Sequence, residues 1–126
     1  MSRTILIVDD SKLARMALAK LLSSLKPDWA RVEAANADEA LEAAKPDSVD
    51  VIMLDFNMPG RDGLELAGDL RKLYPDMPIA VVSANQQREV VERARVVGAT
   101  FLPKPLTEES LRAFIEDASA RLAGRA

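Results

Sequence analysis

Five side chains in this sequence could share one reaction: Asp9, Asp10, Asp55, Ser83 and Lys104. Each ends or follows a short apolar run. "TILIV" leads into the Asp9–Asp10 pair, "VDVIML" into Asp55, "MPIAVV" into Ser83 and Ala84, and "ATFL" into Pro103-Lys104-Pro105. Gathered on one rim, the carboxylates would repel: two unit charges about 4 Å apart cost roughly 4 kcal/mol at an effective dielectric near 20. Such a cluster calls for a cation. Oxygen-only donors suit Mg²⁺, which takes one or two carboxylates, keeps waters and accepts phosphate oxygens. Three carboxylates, a divalent ion and Lys104 sum to zero charge, and a neutral site admits an anionic phosphoryl group.

Taken singly, each residue has a plainer reading. An Asp-Asp pair before a helix is a cap, and Asp55 beside Asn, Pro and Gly is turn chemistry. Ser83 is a turn hydroxyl, and Lys104 a solvated surface lysine. Their shared placement at four strand ends outweighs those readings.

The elements that must position them alternate along the chain. Strands are predicted over 4–8, 30–35, 49–55, 77–84 and 99–102. Helices are predicted over 11–25, from Asn36 to a close at Pro46 and Asp47, from Asp62 to before Pro75, over 86–98, and from Thr107 to about residue 122. In the first helix Leu13, Ala17, Leu21 and Leu25 recur every four residues, which reads as a helix. In the third, Leu66, Leu70 and Leu73 share a side. In the fourth, Val90, Ala94 and Val97 face inward, and Gly98 stops the helix. Asn36 with Glu39 has capping-box spacing, and Leu106 with Leu111 reads as a hydrophobic staple. Asp62 is read as a helix cap only, and Trp29 as a loop anchor. Strands apolar on both faces, alternating with helices, predict an α/β fold with a doubly wound, five-stranded parallel sheet and five helices. Sites in such sheets form outside the carboxyl ends of the strands. The second strand offers only Glu33 there.

Composition narrows the chemistry further. The 126 residues are 48% apolar and 29% charged, with a net charge of −3. The expectation is a single domain over residues 1–126 with no nucleic acid as a direct partner. The chain has no Cys and no His. Thiolate and imidazole chemistry are therefore excluded, leaving carboxylates, hydroxyls, Lys or a hard metal ion. The first residues lack a signal-peptide pattern, and no apolar run reaches membrane-spanning length. A cytoplasmic location is expected.

"VDD" after the first strand, "LDFNMPGRDG" after the third, "VVSA" after the fourth and "FLPKP" after the fifth occur in order over nearly the whole chain. In this the sequence resembles a receiver domain of the two-component response-regulator family, close in layout to single-domain chemotaxis receivers. The resemblance implies a flavodoxin-like strand order 2-1-3-4-5. It implies that Asp55 is the phosphoacceptor, attacking a phosphohistidine or small acyl phosphate. Asp10 resembles the direct Mg²⁺ ligand, with Asp9 holding metal-bound water and the Asn57 carbonyl a further ligand. Lys104 would pair with one phosphoryl oxygen and Ser83 would donate its hydroxyl to another. The family's switch falls on Ser83 and Phe101, where relatives more often carry Thr and Tyr. Small Ala84 leaves the phosphoryl route open. Asn57 and Asn85, both neutral amides, would flank the phosphoryl group and set a hydrolysis rate neither extremely fast nor extremely slow. A cis Lys104–Pro105 bond is implied as well.

With no His, the chain cannot be its own histidine phosphodonor. The implied donor is a histidine kinase or histidine phosphotransfer protein. Downstream partners would dock on the fourth helix, fifth strand and fifth helix, where Arg88, Glu89, Glu92, Arg93 and Arg95 lie. No residues after 122 suffice for a DNA-binding domain, so the chain is expected to act by docking or as a receiver module cut from a larger regulator. The rival enzyme reading is an Asp-nucleophile phosphatase. Such enzymes carry a second carboxylate two residues after the nucleophile, where this chain has Asn57. A flavin or nucleotide carrier would need a phosphate cradle that "DDSK" lacks.

Overall fold

The computed structural model describes residues 3–45, 47–58, 60 and 62–124. Pro46 and Pro59, read from sequence as closing the second helix and turning the chain after Asp55, lie outside them. Strands and helices alternate: β1 (Thr4–Val8), α1 (Lys12–Leu25), β2 (Ala30–Ala34), α2 (Ala37–Ala43), β3 (Val51–Asp55), α3 (Gly63–Leu73), β4 (Ile79–Ser83), α4 (Arg88–Val96), β5 (Thr100–Pro103) and α5 (Glu108–Ala123). The five strands are parallel, in the order β2-β1-β3-β4-β5. This is the doubly wound, flavodoxin-like arrangement expected from the sequence.

Side chains alternate across the sheet and feed two cores. Leu6, Val8, Ile52, Leu54, Ile79 and Val81 point to one face, packed with Ala40, Leu66, Leu70, Val90 and Ala94 from α2, α3 and α4. Ile5, Ile7, Val51, Met53, Ala80 and Val82 point to the other, packed with Leu22 of α1 and Leu111, Phe114 and Ile115 of α5. Trp29 is buried in this second core. β3 and β4 are buried along their whole length, which fixes the ends that carry Asp55 and Ser83.

Local chemistry sets the helix starts. Ser11 Oγ accepts from Ala14 N at 3.2 Å, Asn36 Oδ1 from Glu39 N at 2.8 Å, Asp62 Oδ1 from Glu65 N at 2.8 Å and Thr107 Oγ1 from Ser110 N at 3.1 Å. The Glu39 carboxylate reaches back to Ala35 N at 2.8 Å, a capping box shifted by one residue. α4 alone among the five helices starts without a side-chain cap bond, at Gln87. Gly98 closes it with φ +69°. Leu106 packs against the cluster that holds Leu111.

Three elements differ in detail from a plain reading of the pattern. Leu13 is 78% exposed, and Ala17 is exposed too. The inward face of α1 is instead Leu18, Leu21, Leu22 and Leu25. A residue every four positions advances about 400°, so a four-spaced row drifts around a 3.6-residue helix and cannot stay on one face. Leu73, in the last turn of α3, is exposed and lines a surface cleft with Val49, Asp50 and Tyr74. β3 begins at Val51 and not at Val49; just before it, the Asp50 carboxylate accepts from Thr4 N at 2.9 Å and Asp50 N donates to Thr4 O at 2.8 Å. No helix among the described residues is long and apolar enough to cross a membrane.

Candidate functional site

The carboxyl ends of β1 and β3 are neighbours, with Val8 opposite Leu54. Asp9 and Asp10 therefore emerge beside Asp55. One carboxylate oxygen from each of the three lies within 4.8 Å of the others. β4 and β5 bring the remaining groups, with Ser83 opposite Pro103. Lys104 N donates to the Ser83 carbonyl at 3.0 Å, and Lys104 Nζ reaches Asp55 Oδ1 at 2.7 Å. The Lys104–Pro105 peptide is cis.

Burial grades the three acids. Asp55 is 5% exposed, Asp9 half-buried and Asp10 exposed. Asp55 offers Oδ1 to Lys104 at 2.7 Å. The Asp9 carboxyl is held above the usual carboxylate range, first by burial. The charges of Asp55 and Asp10 push the same way, while the Ser11 amide and Lys104 pull against them. The Ser11 N–H donates to Asp9 Oδ1 at 2.9 Å.

These residues fit a hard cation. The donors are all oxygens, and an octahedral Mg²⁺ with bonds of about 2.0–2.1 Å spans roughly 4 Å between opposite ligands. A cluster within 4.8 Å accepts such an ion with one or two carboxylates bound directly and the rest through water. Asp9, Asp10 and Asp55 would hold it.

Ser83 is fully buried, and its Oγ accepts from Asn85 N at 2.9 Å. Asn85 Oδ1 accepts from Gln87 N at 3.0 Å, a turn that leads into α4. Ala84 and Asn57 are exposed on their loops, with Ala84 lining the site's groove. Phe101 does not join the acidic site. It is half-buried on β5, opposite Val81, and packs on the core beneath α3 and α4. A groove of about 580 Å³ runs from Asp9, Asp55 and Lys104 between Ala14, Ala17 and Leu18 of α1 and Pro105 and Leu106 after β5.

Four residues carry more than sequence reasoning gave them. Gly63 opens α3 directly over the end of β3. Its N–H donates to Phe56 O at 2.8 Å, and a Cβ there would stand 2.3 Å from the Asp55 carbonyl oxygen. Only the Asp-Gly pair at the helix start hints at this. Asp62 caps α3 and also pairs with Arg93 of α4 at 3.2 Å, so Arg93 is not a simple solvated charge. Arg15 donates to Glu33 Oε1 at 2.8 Å, which gives the lone polar side chain of β2's end a partner. Arg71 of α3 donates to the carbonyls of Tyr74, Pro75, Met77, Val97 and Gly98. Nothing in the local spacing of Arg15 or Arg71 marks these long-range contacts.

Comparison with known proteins follows the same lines. The response regulator receiver domain family matches residues 5–116. The transcriptional regulatory protein PdtaR of Mycobacterium tuberculosis is 38% identical over 120 residues, covering 94% of this chain and 58% of that protein. The nitrate/nitrite response regulator protein NarL of Escherichia coli K12 is 36% identical over 119 residues, covering 93% and 55%. The chain thus spans little more than half the length of these relatives. Among solved structures, chemotaxis protein CheY4 of Vibrio cholerae superposes with a TM-score of 0.83 at 30% identity, covering 94% of this chain and 99% of that one. A receiver domain protein from Clostridium thermocellum gives a TM-score of 0.88 at 23% identity, covering 98% and 99%, a likeness of fold alone. The chain belongs to the response regulator receiver domain family.

Proposed function

We propose that this chain is a phosphoacceptor signalling switch of a two-component pathway. Asp55 accepts a phosphoryl group from a histidine kinase, a histidine phosphotransfer protein or a small acyl phosphate. One observation carries the reading. A buried carboxylate at a strand end has one oxygen on Lys104 at 2.7 Å and stands within 4.8 Å of two further acids. Like charges at this spacing disfavour one another's ionisation, a cost that a bound cation would relieve.

A carboxylate oxygen of Asp55 attacks phosphorus. The bond to the donor's nitrogen or acyl oxygen breaks, its electron pair leaves with the donor, and an aspartyl phosphate forms. Asp10, Asp55 and the Asn57 carbonyl would hold Mg²⁺, with Asp9 assisting through water, and the ion would supply charge neutralisation for the phosphoryl oxygens. Lys104 gives up its contact with Asp55 and pairs with a phosphoryl oxygen. Ser83 exchanges its bond from Asn85 N for one to another phosphoryl oxygen. Transfer of this kind needs mostly positioning and charge, and these residues supply both. The bound phosphoryl group then biases the Ser83–Phe101 pair and the α4-β5-α5 surface on which a downstream protein docks. Phe101 has no hydroxyl, so its two positions differ by packing. Hydrolysis past Asn57, Ala84 and Asn85 returns the chain to its resting state without turnover on an external substrate. In this reading the chain works in the cytoplasm.

Intact mass after incubation with a small acyl phosphate and Mg²⁺ tests the reading. One phosphoryl addition is expected, absent in Asp55→Asn and absent when the metal is chelated. An unchanged mass in the natural chain would overturn it.

A further inference from the structure

Arg15 lies one turn into α1 with its side chain only 15% exposed. Its Nε donates to Glu33 Oε1 at 2.8 Å and its Nη1 to the backbone carbonyl of Asp9 at 2.6 Å. Asp9 is therefore held at both ends of its main chain. Its N–H donates to the Ala34 carbonyl of β2 at 3.1 Å, and its carbonyl is gripped by an arginine that is itself anchored on β2 through Glu33. The side chain is pinned as well, through Ser11 N at 2.9 Å. The short loop from Asp9 to Ser11, which delivers two of the three clustered acids, is thus triangulated between β2 and α1.

Two effects of Arg15 on a cation oppose each other. Its positive charge repels a divalent ion nearby, though pairing with Glu33 and solvent screening weaken this. Its planar fork fixes the loop that carries the ligands, and groups that orient metal ligands are worth about 10–100-fold in metal affinity. We propose that Arg15 is a positioning residue for the cation site: it fixes Asp9 and Asp10 in the geometry that binds Mg²⁺, and this outweighs its own charge. The inference rests on reading the acidic cluster as a Mg²⁺ site.

The sign of one measurement separates the two effects. The ¹⁵N-labelled chain is titrated with MgCl₂ at constant ionic strength, and the amide shifts of Asp10 and its neighbours are followed. Arg15→Met removes charge and fork together and is expected to raise the Mg²⁺ Kd about tenfold. Arg15→Lys keeps the charge but replaces the fork with a point donor, and is expected to raise it about threefold, below the roughly 10–100-fold cost of losing an orienting group outright. A folded Arg15→Met chain that binds Mg²⁺ as tightly as the natural one, or more tightly, overturns the inference. Should that variant not fold, Arg15→Lys decides, and an unchanged Kd overturns it. A natural chain with no saturable Mg²⁺ response overturns the cation-site reading itself, and the role of Arg15 with it.

Discussion

Asp9, Asp10 and Asp55 crowd negative charge at the ends of two adjacent strands, with Lys104 as the counter-charge bonded to Asp55. Without a cation this arrangement works against the fold. The folded-state pKa of Asp9 lies above the unfolded one, because burial and the neighbouring acids disfavour its charge. The folded chain therefore holds that proton more tightly than the unfolded chain. Stability from this group is present at low pH and is lost as pH rises from about 3.9, the unfolded value, through the folded pKa. Asp9→Asn should accordingly raise Tm in chelator, by a margin that grows as pH rises from about 3.9 through the folded pKa. It should also shrink the rise in Tm that Mg²⁺ gives the natural chain. Thermal unfolding of both chains with and without Mg²⁺ checks this, and a variant less stable than the natural chain in chelator would contradict it. These residues were legible because each has an unusual neighbour in sequence: an acid doublet, an acid ending an apolar run, a lysine between prolines. Arg15 and Gly63 were not. Their meaning depends on Glu33 and on the Asp55 backbone, which only the folded chain brings near.

Among the elements, α4 is held unevenly. Its first turn lacks a side-chain cap, while its far end is tied to α3 by Arg71, which serves the Val97 and Gly98 carbonyls at 2.9 and 3.0 Å. The same guanidinium serves Pro75 and Met77 before β4, at 2.8 and 2.7 Å. Arg71→Ala should cost about 1–3 kcal/mol, the usual penalty for stranding backbone acceptors. Urea denaturation measures it, and a loss under about 0.5 kcal/mol would mean water replaces the guanidinium. Periodicity found every strand and helix here, since apolar runs and caps are local. It left open which way α1 faces. Leu13 and Ala17 share a spacing with Leu21 and Leu25, yet the four-spaced row drifts around the helix and leaves them exposed. A row of apolar letters records periodicity, and only the neighbouring layer decides which edge of the row is covered.

At the scale of the whole molecule, the parallel sheet joins the acidic site to the α4–β5 side through β4 and β5. Ser83 ends β4, and Phe101 lies opposite Val81 two residues earlier on that strand. In the proposed switch, a change in the hydrogen bonding of Ser83 would reach the Phe101 ring through this strand pair. Ser83→Ala should still take up phosphate on Asp55 but lose most of the phosphorylation-induced amide shifts across α4 and β5. Shifts of natural size in the phosphorylated variant would show that the signal travels by another route. The overall topology was readable from the alternation of elements and the order of the motifs. The strand order followed from family likeness, since local pattern alone leaves the order of parallel strands open.

Gly63 sets a further limit on this architecture. Because a methyl group there would collide with the carbonyl of residue 55, the third helix is seated against the strand with no room for adjustment. Chemical identity thus matters at position 55 and sheer vacancy at 63, two demands that evolution must satisfy together. A chain that kept every acidic group but filled that space would have to lift the helix away, carrying with it the loop that follows Asp55.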